Sequence, residues 1–175
     1  AVLEAQGAII VDPAPLPSTV SQDPEANQLL FGNCYDLGPG KRGDASCSIV
    51  MKYGMKRDFN RWLATLGPTA PVKSLTGLRR FNLAREAEGA IRYGQAQLDI
   101  SDEMDVAADR ARWQADRRKD LRLSREEGID AALALHELDA LLMPAWRGEN
   151  IINKAGYPAV SVPFGTVPNA LDPPL

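Results

Sequence analysis

Three short apolar runs place the strongest constraint on what this chain can fold into. They cover residues 8–11, 139–143 and 159–163, and prolines stand at the end of the last two, at Pro144 and Pro163. Runs of this length and composition are typical of strands that are buried on both faces. Helical patterns separate the runs along the chain. We therefore expect an α/β fold in which helices cover a central mixed sheet.

The spacing of apolar residues between the first and second runs predicts several helices. Gly67-Pro68 ends the first of them, and Ser124-Arg-Glu-Glu127 is a capping box that starts the last. The helix that opens at Ser101 has acids in its first turn and a narrow stripe of small residues, which predicts a surface helix. The predicted bounds are 48–66, 84–97, 101–123 and 124–137, with a short helix after Ser74 between the first two. Another short helix, in the last third of the chain, is predicted to end at Gly156.

Residues 12–48 are rich in Pro, Gly, Ser and Asp and are predicted to form a long loop or insertion. A structureless connection of this length is uncommon inside a compact domain, where it is often a lid or a binding loop. Three strands are also few for so many helices, and both ends of the chain look like cuts through a longer one. We therefore expect residues 1–175 to form a single incomplete domain.

Charge and composition narrow the classes of function. The net charge is −3, which gives no general electrostatic case for binding nucleic acid or an anionic membrane. No apolar run approaches the roughly 20 residues that a membrane-spanning helix needs. No signal-peptide pattern is visible, so we expect a cytoplasmic protein. For Cys34 and Cys47, two free thiols are the expectation and a disulfide is the alternative.

The sequence offers no established catalytic, cofactor or metal motif. Gly40-Lys41 lacks the first glycine and the hydroxyl residue of a phosphate loop, and the two cysteines have no partners at zinc-ligand spacing. His136 is the only histidine and lies near a predicted helix end, where a packing role explains it. The acids at Asp102, Glu103 and Asp105 are expected at a helix start without any catalytic role.

Trp146 differs from the other tryptophans in its position. It follows Pro144 at the predicted carboxyl end of a strand, which is where ligands gather in α/β sheets. In a loop at this position the tryptophan could line a pocket, and the competing interpretation is an interface tryptophan or a partly buried surface tryptophan. Arg147 beside it and Phe164 after the last predicted strand would share the same rim.

The last third of the chain resembles the amidase signature family. Its segments are Leu138-Asp-Ala-Leu-Leu-Met-Pro144, then Asn150-Ile-Ile-Asn-Lys-Ala-Gly156, then Tyr157-Pro-Ala-Val-Ser-Val-Pro-Phe-Gly165. The family has words of this kind in this order. Upstream, Gln6-Gly-Ala-Ile-Ile-Val11 and Met51–Leu63 are also similar to family segments, as are Phe81-Asn82 and Ile91–Gln95. The resemblance therefore covers most of the chain.

The resemblance implies the C-terminal-side part of an amidase, with a partial amidase-signature fold. Such enzymes hydrolyse a carboxylic amide to an acid and ammonia or an amine, without a metal or an organic cofactor. They use a serine nucleophile, a second serine with a cis peptide bond and a lysine. The glycine- and serine-rich loop that carries these groups has no counterpart here, so no catalytic residue is assigned to this chain. Trp146, Arg147 and Phe164 are the candidates for lining the substrate pocket.

Two other functions stay open beside the amidase hypothesis. One is a catalytically inactive scaffold or interaction domain that keeps the amidase shell. The other is a subunit of a glutamine-dependent amidotransferase. In each case the expected partner is the missing N-terminal part of the same protein, and the amidase hypothesis adds a small-molecule amide substrate. No nucleic-acid or membrane partner is expected, and a homo-oligomer is left open.

Overall fold

The computed structural model describes residues 2–35, 44–143 and 145–163, including the side chains of all but residues 45 and 145–147. About 55% of the residues that the structure describes are helical. The α-helices are α1 (Val2–Ala5), α2 (Pro17–Val20), α3 (Val50–Thr65), α4 (Leu75–Leu83), α5 (Ala96–Asp102), α6 (Arg110–Leu121), α7 (Ala131–Leu135) and α8 (Ala145–Ala155). A π-helix, Arg122–Asp130, joins α6 to α7, and 3₁₀ helices cover Gln28–Leu30, Asp44–Ser46 and Glu86–Glu88.

The expected α/β fold with a central mixed sheet was wrong. Across residues 2–35, 44–143 and 145–163 no strand or sheet forms, and the isolated bridge that is present pairs Asn33 with Ser48. The three predicted strands have no regular secondary structure and are unpaired. An apolar run becomes a strand only where a neighbouring backbone offers hydrogen bonds. The helices pack on one another instead, and in the described ranges no backbone hydrogen bond pairs residues 9–11, 139–143 or 159–163 with another segment.

Several predicted helix boundaries are confirmed. Helix α3 ends just before Gly67, which adopts a left-handed φ of 73°. Glycine reaches this conformation without steric cost, because it has no Cβ. Ser74 caps α4, because its side-chain oxygen accepts a 3.0 Å hydrogen bond from the amide of Gly77. Helix α8 ends at Gly156 with the same left-handed turn, at φ 73°.

The predicted helices at 84–97 and 101–123 are interrupted. The first becomes a 3₁₀ turn and a series of tight turns, with Gly89 and Gly94 at positive φ. The second breaks between α5 and α6, where Asp105 accepts hydrogen bonds from the backbone amides of Ala107 and Ala108 at 2.9 Å. An aspartate that binds nearby amides offers the backbone an alternative to the helix, which explains the break.

The capping box at Ser124 does not start a new helix. Helix α6 instead runs through the π-helix into α7 without interruption, and Ser124 is fully buried. The wider π turn lies against α2 and the start of α8. Gly128 permits this close packing, because an added Cβ would lie 2.7 Å from the carbonyl oxygen of Leu123 and 3.1 Å from Oγ of Ser18.

Apolar packing is divided between two clusters. The first apolar cluster lies between α3 and the turn before α6, and the second lies around the π-helix and α8. The buried members of the first cluster are Cys34, Cys47, Ile49, Tyr53 and Met104, with Val106 and Trp113 packed against them. The buried members of the second are Ile129, Ile151 and Ala155, with Leu16, Leu133, Leu141, Met143, Ile152 and Tyr157 packed against them.

Cys34 and Cys47 form a disulfide with their Cα atoms 5.2 Å apart, so the expectation of two free thiols was wrong. The bond lies in the first apolar cluster and joins the two segments that also meet at the Asn33–Ser48 bridge. The predicted long loop at 12–48 therefore contains short helices and a covalent link. Beside the disulfide, Lys52 Nζ lies 2.6 Å from Oδ1 of Asp44 in a buried ion pair.

Asp102 ties α4 and α3 to the end of α5. Its carboxylate accepts from Thr76 Oγ1 and Arg79 Nη1, both at 2.7 Å, and Lys56 Nζ lies 3.3 Å away. The side chain is 6% exposed. Burial raises the pKa of Asp102, but the hydrogen bonds from Thr76 and Arg79 and the charge of Lys56 outweigh it and hold the pKa below its usual value.

The close packing at Gly128 gives a stability prediction. Gly128→Ala should destabilise the protein by about 1–3 kcal/mol, because the new methyl group would overlap a backbone oxygen. Gly54→Ala in the middle of α3 is the matched control, since its Cβ would meet only Asp58 Oδ2 at 3.9 Å. The control should be neutral or stabilising by up to about 1 kcal/mol. Urea unfolding at neutral pH measures both, and equal effects would contradict the packing argument.

The lowered pKa of Asp102 gives a pH prediction. A carboxyl group whose folded pKa lies below its unfolded value of about 3.9 contributes stability above that value, and the contribution is lost as the pH falls through the folded pKa. Asp102→Asn should therefore flatten the acid limb of the stability curve below about pH 4. Asp99→Asn, at a 41% exposed partner of Arg79, is the control and should flatten it less. Urea midpoints between pH 7 and 2 test this.

Candidate functional site

Four buried polar side chains occupy the space between the two apolar clusters. They are Ser48, Asp116, Asp120 and Lys154, and together they are called the polar core below. Each is at most 6% exposed. Because buried polar groups are costly without partners, such a group is where catalytic chemistry or a structural constraint is expected.

Asp120 and Lys154 form the centre of the polar core. Lys154 Nζ lies 2.7 Å from Asp120 Oδ1, with side chains 5% and 1% exposed. Oδ1 accepts no hydrogen bond of good geometry, so this contact is an ion pair rather than an aligned hydrogen bond. Lys154 Nζ donates instead to the carbonyl oxygen of Phe31 at 2.5 Å. Ser48 Oγ donates to Asp120 Oδ2 at 2.7 Å.

Asp116, one turn before Asp120, fixes the chain just before α3. Its Oδ2 accepts from the backbone amide of Ile49 at 3.0 Å. Arg112 Nε donates to the same carboxylate at 2.8 and 2.9 Å, and its Nη2 donates to the carbonyl oxygens of Asp44 and Cys47 at 2.5 and 3.0 Å. One face of α6 therefore holds the segment that carries Cys47 in place.

The polar core brings a serine hydroxyl, a carboxylate and an amine together, but it is closed to substrate. Ser48 is fully buried, and its hydroxyl proton is directed at a carboxylate that Lys154 already neutralises. A nucleophile needs access to a reacting atom and a neighbouring base that is free to take its proton. The arrangement has a structural role, since it joins four parts of the chain. They are the segment at Phe31, the residues just before α3, helix α6 and helix α8.

The second feature of the site is a set of exposed apolar side chains. The three extended runs at 8–11, 139–143 and 159–163 are called the apolar segments below. Ile9 is 92% exposed, Leu142 is 86% exposed and Val160 is 87% exposed. Single exposed apolar residues are ordinary, whereas large apolar side chains exposed on three separate runs are less so.

The apolar segments are connected to one place in the fold. Leu141 and Met143 of the second segment pack on the second apolar cluster, while Leu142 between them points away. Tyr157 packs on the same cluster immediately before the third segment begins. Leu16, five residues after the first segment, packs there as well. The three segments therefore leave from a common anchor on α8 and the π-helix.

The backbone of the apolar segments is also largely unpaired. In the described ranges, no backbone–backbone hydrogen bond joins residues 9–11, 139–143 or 159–163 to another part of the chain. Ala8 donates to Leu3, which closes the turn after α1. Extended segments with free amides and carbonyls, and with exposed branched side chains, are suited to contact with a partner rather than with solvent.

The structure leaves the predicted pocket residues untested. Trp146 and Arg147 fall on the first turn of α8, so their backbone is helical and not the expected loop, but their side chains lie outside what is described. Phe164 lies outside the described residues altogether. The assignment of these three residues to a substrate pocket stays a prediction.

Sequence reasoning missed the residues of the polar core. Asp120 lies among charged residues in the sequence, which is also the pattern of an ordinary solvent-exposed face, and Lys154 is a single charge on a short helix. The signal that could have found them is weak: Asp116 and Asp120 are four residues apart, and so share one helix face with Arg112.

Comparisons with models of known protein families, with curated proteins and with solved structures find no match for this chain. Among the described residues, the structure has no helix that is both long and apolar enough to cross a membrane.

The buried ion pair should contribute more to the free energy of unfolding than an ion pair at the surface. Lys154→Met should destabilise the protein by about 3–5 kcal/mol, because Asp120 would be left buried and unpaired. Lys119→Met is the matched control: both amines lie over the Phe31 ring, at 4.4 Å for Lys119 and 4.9 Å for Lys154. Lys119 pairs with Glu25, whose side chain is 82% exposed, so its loss should cost less than about 1 kcal/mol.

Urea unfolding measures both lysine variants. Adding Asp120→Asn to Lys154→Met should recover part of the loss, since the double variant no longer leaves the charge of Asp120 buried and unpaired. Equal costs for the two lysine variants, or strict additivity in the double variant, would contradict the structural role of the polar core.

Proposed function

We propose that this chain is part of an amidase of the signature family and that it supplies contact surface rather than catalytic groups. The whole enzyme hydrolyses a carboxylic amide to an acid and ammonia or an amine by serine, cis-serine and lysine chemistry. The residues that carry this chemistry lie outside the chain. What supports the assignment to this family is the order of the sequence segments from Gln6 to Gly165.

The single observation that carries the contact role is the exposure of the apolar segments. Burying one large aliphatic side chain contributes about 1.5–3 kcal/mol relative to leaving it in water. Ile9, Leu142, Val160 and Val162 are each at least 76% exposed, so this contribution is not realised inside the chain. The occupant is the upstream part of the same amidase, which covers the segments and receives α8 and the π-helix as a rigid support.

A non-catalytic interaction domain is the second candidate. The same exposed segments favour it, together with the closed state of the polar core, in which no hydroxyl is both accessible and activated. Its partner would be the same upstream part, and only the activity of the whole protein distinguishes the two. A glutamine-dependent amidotransferase subunit is a variant of the first candidate with glutamine as the amide.

The expected cytoplasmic location is in tension with the disulfide. Disulfides persist in oxidising compartments, while glutathione and thioredoxin keep most cytosolic thiols reduced. The Cys34–Cys47 disulfide therefore favours an oxidising environment for the folded protein.

The test combines serine labelling with variants in the third apolar segment. The purified 175-residue chain should not react with a serine-directed fluorophosphonate, whereas the whole amidase should be labelled once, at a serine outside this chain. Val160→Ser with Val162→Ser should leave the isolated chain as stable as before, since both residues already face solvent. In the whole enzyme the same double variant should lower the amount of active, labelled protein several-fold. Leu29→Ser, at a 68% exposed residue outside the segments, is the control and should change neither result.

Each outcome assigns one of the candidates. Stoichiometric labelling of a serine in the isolated chain contradicts the contact role. A whole protein that associates through the apolar segments but is neither labelled nor active supports the interaction domain. An unchanged amount of active enzyme in the Val160/Val162 variant shows that the apolar segments are not the contact surface.

A further inference from the structure

A small cleft lies beside the first apolar cluster and shares no lining residue with the polar core or the apolar segments. It has a volume of about 300 Å³, at the lower end of the range for small-molecule sites. Helix α3 forms one wall, and the start of α6 with the turn before it forms the other. The lining residues are Tyr53, Arg57, Val106, Arg110 and Trp113.

The floor of the cleft is aromatic and fixed. The rings of Tyr53 and Trp113 stack with centroids 5.3 Å apart and planes 18° from parallel. Tyr53 is 1% exposed, and its hydroxyl donates to the carbonyl oxygen of Val106 at 2.7 Å. This bond uses the one polar group of the ring and joins the two walls. A ligand therefore meets a preformed apolar surface rather than one that must order on binding.

Arg57 also lines the cleft, and it shares the carboxylate of Asp58 with Arg61, whose Nη2 lies 2.5 Å from Oδ1. Its guanidinium lies 4.5 Å from the centroid of the Trp113 ring. Nε and Nη2 donate to the two carboxylate oxygens of Asp58, both at 2.9 Å. The hydrogen bond to Asp58 holds the pKa of Arg57 above its ordinary value. This arginine therefore serves as a flat wall and not as an anion receptor.

Arg110 at the mouth of the cleft is different. It is exposed, and within the described ranges its guanidinium takes part in no hydrogen bond or ion pair. The acids nearest to it in sequence are engaged with the backbone: Asp109 accepts from the amide of Asp105 at 2.7 Å, and Asp105 accepts from the amides of the following turn. A guanidinium with five available donors thus stands over an apolar floor.

The geometry points to a binding site for a small aromatic carboxylate in this cleft. The apolar body of the ligand lies against Val106 and the Trp113 ring, which the buried Tyr53 ring supports from behind, and its carboxylate pairs with Arg110. The unpaired charge at the mouth is positive, which rejects an amine, and the floor offers no free polar group for a sugar or a peptide. This inference does not depend on the amidase proposal, because it uses neither the apolar segments nor any catalytic group.

Three probes of one shape and different charge test the proposal: benzoate, benzamide and benzylamine. Nitrogen–proton correlation spectra of the 175-residue chain should show saturable benzoate binding that shifts the indole signal of Trp113, which the Trp113→Phe variant identifies. Benzamide should bind about tenfold more weakly, since it lacks the charge-assisted contact with Arg110. Benzylamine should not shift the Trp113 signal.

Two variants on the same helix complete the test. Arg110→Met should reduce benzoate affinity about tenfold, to the level of benzamide, without unfolding the chain, because Arg110 is exposed. Arg118→Met, at an exposed arginine two turns further along α6, should leave benzoate binding unchanged. Absence of saturable benzoate binding up to about 10 mM, equal affinity for all three probes, or an equal loss in both arginine variants would overturn the proposal.

Discussion

The ion pair between Asp120 and Lys154 is the interaction on which the rest of the structure depends. A charged side chain that is 1% or 5% exposed has lost its hydration, and only a close partner offsets that loss. The pair can therefore form only when α6 and α8 lie at one distance and in one register. Phe31 and Ser48, which lie in segments before α3, make the remaining hydrogen bonds to the pair. One buried ion pair therefore positions four parts of the chain.

Such a constraint matters here because the apolar packing is small and divided. Each apolar cluster is built from a few buried side chains, and neither is large enough to fix the position of the other. An apolar contact is also undirected, so it tolerates sliding that an ion pair does not. We infer that the main effect of the polar core is to select one packing of the helices, and that its effect on the free energy of unfolding is secondary. Buried charges have this role in some other proteins. The Cys34–Cys47 disulfide adds a covalent constraint at the first cluster.

Local features of the fold could be predicted from the sequence, and non-local ones could not. The end of α3 at Gly67 and the cap at Ser74 depend on residues within one turn, and both predictions are confirmed. The strand at 159–163 depends on a pairing partner that no local pattern reveals, and its prediction was wrong. The break before α6 was not predicted, although its cause is local. Asp105 accepts hydrogen bonds from nearby backbone amides, in a stretch whose composition also suits the start of a helix.

The site shows the same division. A sequence does not show whether a charged side chain is exposed or buried. Lys154 lies on a helix where its side chain could be either. Its burial follows from the docking of α8 on α6, which depends on contacts between residues far apart in the chain. The disulfide is a similar case: the spacing of Cys34 and Cys47 permits a bond, but the Asn33–Ser48 bridge brings the two segments together.

One helix connects the three functional features of the molecule. Near its start, Arg110 and Trp113 line the cleft; in its middle, Asp116 and Asp120 belong to the polar core; near its end, Ile129 packs on the cluster from which the apolar segments leave. The cleft and the segments are nevertheless chemically independent, because no side chain belongs to both. A change at the cleft mouth or on an exposed segment should therefore act on one binding property alone. A change in the polar core should disturb both together, since it moves the helix that carries them.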